Sequence, residues 1–238
     1  MKTFYWGDQP NNFGDMLTGS LLDHFGIKYN HTNVHENGKY FCIGSIARLA
    51  TFGSKVYGSG IIRQGENLNP LVDWKFVRGP LTRQRIIECG GNCPEIYCDP
   101  ALLLPRFCEE SDKEYEVGLV PHYQHMMMLG SKRDEYKIID VVNENPIEVA
   151  REITKCKKIM SSSLHGIICA HAYGIPAAYI ITGKKLHGDG SKFLDYFASV
   201  GLEAKPSTID KPIYTIPKEL PDFERVAEIF EELGEDDD

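Results

Sequence analysis

The feature that most constrains this chain is the order of its short apolar runs and helical patterns, punctuated by glycine, proline and serine. Lys2–Trp6, Lys39–Ile43, Lys55–Tyr57, Phe76–Val77 and Glu95–Cys98 read as strands of the first half. Gly14–Phe25 reads as a helix, because Leu17, Leu21, Leu22 and Phe25 recur at helical spacing. Pro80–Cys89 reads as another, with its proline in the first turn where a missing N–H costs nothing, and Pro100–Leu104 as a short helix or turn. In the second half Val117–Pro121, Lys137–Val142, Lys158–Met160 and Ala177–Ile181 read as strands. Pro146–Cys156, Leu164–Tyr173, Lys192–Val200 and Asp222–Leu233 read as helices, the second of them stopped by Gly174 and Pro176. Pro206–Pro217 reads as an extended linker.

Alternation of this kind implies parallel sheets with helices on their faces. The fold class expected is α/β, with two Rossmann-like domains facing a cleft. A polar run from Cys108 to Glu114 marks the break. It places an N-terminal, acceptor-side domain at 1–108, a C-terminal, donor-side domain at 115–205, and a linker, helix and acidic tail at 206–238. With 42% hydrophobic residues in 238, the chain can fill two cores of about 100 residues each.

Charge and cysteine usage narrow the function classes. A net charge of −8 argues against nucleic acid as a partner, since phosphate contacts need clustered Lys and Arg. Much of that charge sits in the tail from Glu231 to Asp238. Seven irregularly spaced cysteines, with no CxxC pair and no apolar leader at Met1–Gly7, predict reduced thiols and a cytoplasmic setting. No run approaches the length of a membrane-spanning helix. His31 and His35 stand four apart without a third ligand, so no metal site is expected.

In open α/β sheets ligands lie beyond the carboxyl ends of the strands, so the turns there are the candidates. Asn12-Phe13-Gly14-Asp15 opens the first helix. Gly14 permits close backbone approach, while Asn12 and Asp15 suit either a ligand or a helix cap. As a carboxylate at a strand end, Asp15 is a candidate base, although a helix start lowers its pKa and weakens it. Ser59 and Gly60 lie in a turn that suits a sugar or phosphate, or merely a tight strand-to-helix connection. Arg78 follows a strand and precedes a helix, where a guanidinium can reach a carboxylate or phosphate or simply face solvent. His122 follows another strand. Ser161-Ser162-Ser163-Leu164-His165 runs from strand through turn to helix start, the geometry of an anion site; a capping serine and an incidental histidine would look the same. His171 is about 600° further round that helix and reads as a packing residue. Lys184 lies in a glycine-bounded loop and could attract an acidic ligand.

Taken in order, these stretches resemble the polysaccharide pyruvyltransferases. The likeness rests on Asn12-Phe13-Gly14-Asp15, Gly58-Ser59-Gly60, Arg78-Gly79-Pro80, Asp99-Pro100-Ala101 and Val120-Pro121-His122-Tyr123. It continues in Ser162-Ser163-Leu164-His165-Gly166, Ala170-His171-Ala172-Tyr173-Gly174-Ile175-Pro176 and Lys192-Phe193-Leu194-Asp195-Tyr196. The last of these looks like the branch that makes pyruvate ketals on exopolysaccharides. The resemblance implies a GT-B-like pair of domains, phosphoenolpyruvate as donor, no further cofactor, and a sugar acceptor that is a glycan or its lipid-linked precursor at the inner membrane face. For that reaction the residues suggest donor binding by Arg78, Ser162, Ser163, Leu164 and Lys184, with His165 either the general acid or a phosphate contact and Asp15 the candidate base. Asn12, Gly14, Ser59, Gly60 and His122 would line the acceptor side or the cleft. Many relatives carry arginine where this chain has Ser163, which leaves the donor site one cation short unless Arg78 or a loop lysine supplies it. Two other readings share the architecture: a glycosyltransferase using a nucleotide sugar, with Asp189 or Asp195 on the ribose, and a carbohydrate-binding relative without activity.

Overall fold

The computed structural model describes residues 1–6, 12–33, 36–128, 135–182 and 188–235. Two five-stranded sheets carry the chain. The first holds β1 (Lys2–Thr3), β2 (Asn30–His31), β3 (Tyr40–Phe41), β4 (Lys55–Tyr57) and β5 (Asp73–Phe76), all parallel, in the order β2-β1-β3-β4-β5. Helices α1 (Phe13–His24) and α2 (Pro80–Glu88) follow β1 and β5. The second holds β6 (Tyr115–Val120), β7 (Lys137–Ile138), β8 (Cys156–Ser161), β9 (Ala177–Tyr179) and β10 (Tyr214–Thr215), in the order β10-β9-β8-β6-β7, with only β10 antiparallel. Its helices are α3 (Pro146–Thr154), α4 (Leu164–Ala172) and α5 (Ser191–Ser199), and α6 (Phe223–Glu235) closes the described chain. Among the described residues no helix is long and apolar enough to cross a membrane.

The two sheets share a core. Phe13, Leu17, Leu21 and Leu22 of α1 join Ile167 and Ile168 of α4 in one buried cluster. Between them runs a 3-10 helix, Pro100–Arg106, whose Leu102, Leu103 and Leu104 are buried. Phe230 of α6 stacks on Phe25 at 5.4 Å and meets Phe76 edge-on at 6.1 Å, so the last helix returns to the first sheet. Full burial of such side chains stabilises by about 1.5–3 kcal/mol each, which ties α6 firmly despite its charged outer face.

Several expected elements differ in extent. Pro206–Pro217, expected as a linker, is held on the second sheet. Ser207 N–H donates to Tyr179 O at 2.8 Å, and Tyr214 and Thr215 pair with Ala178 and Ala177. The open edge of β9 supplies the unpaired backbone groups that capture it. Glu95–Cys98 makes a single bridge, Tyr97 to Val77, instead of a strand. Lys137–Val142 is a strand only at Lys137–Ile138; beyond it Val142 bridges Asn12, and Phe13 N–H donates to Val141 O at 2.7 Å. That contact anchors the start of α1 beside the second sheet.

The longest ladder, β6 against β8, aligns Val120 with Ser161. It therefore delivers His122 and Ser162–Ser163 to neighbouring positions past the strand ends, and His122 N–H donates to Ser162 Oγ at 2.9 Å.

Candidate functional site

A cavity of about 380 Å³ opens where the carboxyl ends of both sheets meet. Trp6, Asn12, Asp15, Ser45, Ile46 and Ile62 line it from the first half. His122, Tyr123, Gln124, Ser163, Leu164, His165 and Lys192 line it from the second. Every one follows a strand or opens a helix, as expected of an open-sheet ligand site.

Asp15 sits in the first turn of α1, where Asn12 Nδ2 donates to its Oδ2 at 2.7 Å. Its pKa is raised, the reverse of the sequence expectation. Loss of hydration outweighs the Asn12 hydrogen bond and the attraction of His165 and Lys192. Asp15 is thus a stronger base than a solvated carboxylate. Lys192, in the first turn of α5, has its pKa pressed down to about 8 by burial and by the nearby Arg78 guanidinium, with Asp15 pulling the other way. Its ammonium lies 5.4 Å from the centre of the Phe193 ring. His122 is pushed down to about 3 by burial, then by Lys192 and His125, so its ring is neutral at ordinary pH.

Ser163 is the N-cap residue of α4 but its side chain makes no capping hydrogen bond. Its backbone N–H is taken by Ser161 Oγ at 3.0 Å. The amino end of α4, carrying Leu164 and His165, therefore faces the cavity without a side-chain cap. Helix amino ends of this kind favour anions. Gly14 has a structural task here: a Cβ at this position would lie 1.8 Å from His165 Nδ1. Its hydrogen allows the imidazole to pack against α1.

Other expected site residues are elsewhere. Arg78 does not line the cavity. It is fully buried; its Nε and Nη2 meet Asp195 Oδ2 at 3.1 and 3.0 Å, Nη1 donates to Ser45 Oγ, and Nη2 also donates to Ile61 O. The donor-clamp role expected for it fails because its hydrogen-bonding capacity is committed to Asp195 and the loop behind Ser45. Gly60 is there for the same reason: a Cβ would fall 2.3 Å from that guanidinium. Ser59 is buried and donates to Cys42 O at 2.6 Å, so neither Ser59 nor Gly60 lines the cleft. Ser162 Oγ is turned inward, 3.0 Å from His125 Nδ1. Lys184 lies outside the described residues. His171 is a packing residue as expected, its ring between Tyr196 Oη at 3.0 Å and Thr215 O at 3.1 Å.

Sequence reasoning left Lys192 and Asp99 without a role. Lys192 carried a usable signal, a cation in the first turn after a glycine-rich loop. Asp99 caps the 3-10 helix through Oδ1, which accepts from Ala101 N–H at 3.1 Å, while its Oδ2 is 3.7 Å from His165 Nε2. The carboxylates that a nucleotide-sugar reading would set on a ribose are engaged. Asp195 holds Arg78 and Thr82, and Asp189 accepts from Gln64 N and Ser191. All seven cysteines are unpaired thiols, Cys89 half-buried and the others buried.

This α/β chain thus carries a polar cavity at the ends of two mostly parallel sheets, where open-sheet proteins bind ligands. The comparisons give the class a name. The family model for polysaccharide pyruvyl transferase matches residues 12–183. Uncharacterized protein L143 of Acanthamoeba polyphaga mimivirus is 30% identical over 207 residues, covering 83% of this chain and 71% of that one. Succinoglycan biosynthesis protein ExoV of Rhizobium meliloti (strain 1021) is 27% identical over 228 residues, covering 88% and 68%. No solved structure gives a significant match. The chain belongs to the polysaccharide pyruvyl transferase family, and it is a transferase.

Proposed function

We propose that the protein transfers pyruvate from phosphoenolpyruvate to two hydroxyls of one sugar, forming a cyclic ketal and releasing phosphate. The observation that carries this reading is the company kept in one cavity: a cation, an uncapped helix amino end, a carboxylate of raised pKa and an imidazole. Lys192 and the start of α4, with Ser163, hold the donor's phosphate and carboxylate. Lys192 takes the place assigned to Arg78 and provides the charge that Ser163 lacks. His165 gives a proton to the donor's methylene carbon while a sugar hydroxyl attacks the adjacent carbon. Asp15 accepts that hydroxyl's proton and passes it back to the imidazole. The second hydroxyl then displaces phosphate, which leaves with the second proton. One hydroxyl proton ends in the new methyl group and the other on phosphate, so the step balances. Holding both substrates in one cleft supplies much of the rate.

The two halves act in this reading as a GT-B-like pair, with the donor at the second sheet and the acceptor at the first. The reaction runs in the cytoplasm, or at the inner membrane face where the acceptor is lipid-linked. Incubation with phosphoenolpyruvate and a panel of galactosides, mannosides and glucosides tests it, read by phosphate release and by a pyruvate mass gain on the sugar. No phosphate release with any acceptor, together with thermal stabilisation by a nucleotide sugar, would overturn it. His165→Ala is expected to abolish turnover; undiminished turnover would remove His165 from the chemistry.

A further inference from the structure

Two unpartnered polar atoms face each other behind the cavity wall. Asp99 Oδ2 and His165 Nε2 are 3.7 Å apart, and neither makes a hydrogen bond. Asp99 is fully buried and His165 is 7% exposed. The separation is too long for a hydrogen bond. An unsatisfied donor or acceptor in the interior is unfavourable, and this pair is complementary: an imidazole N–H donates and a carboxylate oxygen accepts. A movement of about 0.8 Å would join them. Catalytic hydrogen bonds are often long before substrate arrives and tighten when it does.

The rest of the geometry fixes which way the ring faces. Asp99 is held by its other oxygen through the Ala101 N–H bond. On the opposite side of the ring, Nδ1 lies against Gly14, next to Asp15 at the cavity. Nε2 is thus sealed behind the wall without a partner, whereas Nδ1 is not so enclosed and is the nitrogen left to serve the site. The charged and titratable groups around the ring are Asp99 behind it, Asp15 on α1, Lys192 on α5 and His122 after β6.

We propose that Asp99 is a positioning residue for His165: it accepts the Nε2 proton, sets the neutral tautomer, and leaves Nδ1 as the atom that carries the transferred proton. The inference rests on the reading of His165 as the acid. In the protonated ring both nitrogens bear hydrogen. Nδ1–H passes to the methylene carbon, the donor's C=C electron pair forms the new C–H bond, and the ring returns to the Nε2–H form that Asp99 stabilises. The same logic governs other imidazoles whose tautomer is set by a buried carboxylate.

Asp99→Asn tests this. The asparagine oxygen can still accept the Ala101 N–H, so the cap of the 3-10 helix is kept. Its NH2 would then face Nε2 and drive the neutral ring to the Nδ1–H form. Nitrogen-15 NMR of the ring, assigned with His165→Gln, is expected to report Nε2–H in the wild type and Nδ1–H in the variant. The kcat for phosphate release is expected to fall by roughly 10²–10⁴-fold, with KM for phosphoenolpyruvate within about threefold. An unchanged tautomer, or a rise in KM that accounts for the whole loss, would overturn the proposal. Should Asp99→Asn fail to fold by circular dichroism, Asp99→Ser retains a capping oxygen without the carboxylate and is held to the same kinetic criterion, with loss of the Nε2–H preference. If the wild type releases no phosphate from phosphoenolpyruvate, the pyruvyl-transfer reading falls, and the tautomer comparison still decides the role of Asp99.

Discussion

Lys192→Met separates two effects of one buried ammonium. Lys192 has its pKa lowered from 10.5 to about 8, first by loss of hydration and then by Arg78. At roughly 1.4 kcal/mol per pKa unit, the charged form carries a folding penalty on the order of 3 kcal/mol. Because the folded pKa is the lower one, the unfolded chain binds the proton more tightly. The penalty is therefore fully present below about pH 8 and disappears as pH rises toward 10.5. Methionine keeps the apolar stem and removes the charge. Stability at neutral pH is expected to rise by up to about 3 kcal/mol, with the site's partial exposure scaling that down. The Tm should rise by roughly 2–4 °C for each kcal/mol gained. Donor binding should move the other way. Losing one partner of a buried charge-assisted contact costs about 2–5 kcal/mol, a weakening of roughly 30-fold or more in Kd for phosphoenolpyruvate. In the wild type, donor affinity should decline about tenfold per pH unit above about pH 8, and Lys192→Arg should abolish that limb because guanidinium does not titrate there. Titration calorimetry with phosphoenolpyruvate across that range, alongside thermal unfolding, measures both. An unchanged Kd in Lys192→Met would refute the donor assignment, and a lowered Tm would refute the buried-charge reasoning.

Asp195→Ala should cost about 3–5 kcal/mol in urea unfolding, because it strands the buried Arg78 guanidinium and two Thr82 donors; a loss under about 1 kcal/mol would contradict the contacts described. Gly14→Ala gains helix propensity but drives a Cβ into the buried His165 ring, so a net loss of up to about 2 kcal/mol is expected, with kcat lowered by roughly 100-fold in the folded protein; normal kcat would show that the ring position is unimportant. His171 has its pKa pulled down to about 4 by burial, so the fold holds it neutral while the unfolded chain protonates near 6.5. Stability should fall as pH drops from about 6.5 to about 4, by up to roughly 3 kcal/mol, and His171→Gln should flatten that acid limb; an equally steep limb in the variant would assign the loss to other groups.

The order of elements was legible because period and punctuation survive in the chain. The leucines of α1, the prolines opening α2 and α3, and Gly174 after α4 mark their elements without help. β2 was not legible, since Asn30 and His31 are polar, exposed edge residues with no apolar run. Nor was β10, which exists because the edge of β9 is available to it.

The site divides along the same line. Asn12, Asp15, His122, Ser163 and His165 were recognisable from position alone, since the end of a strand or the start of a helix puts a residue near the cleft. Position does not say which way a side chain turns. Arg78 stands at the same kind of boundary as Ser163, yet it folds inward onto a carboxylate 117 residues away. Lys192 and Asp99 likewise take their surroundings from residues far along the chain, Arg78 and Asp15 for the one and His165 for the other. Sequence by itself determined the α/β class, the strand-end candidates and the family pattern, because local period and turn chemistry are encoded in adjacent residues. Only the tertiary structure decided which charges face the cavity and how far their pKa values move, because burial and pairing arise from contacts between segments distant in the chain.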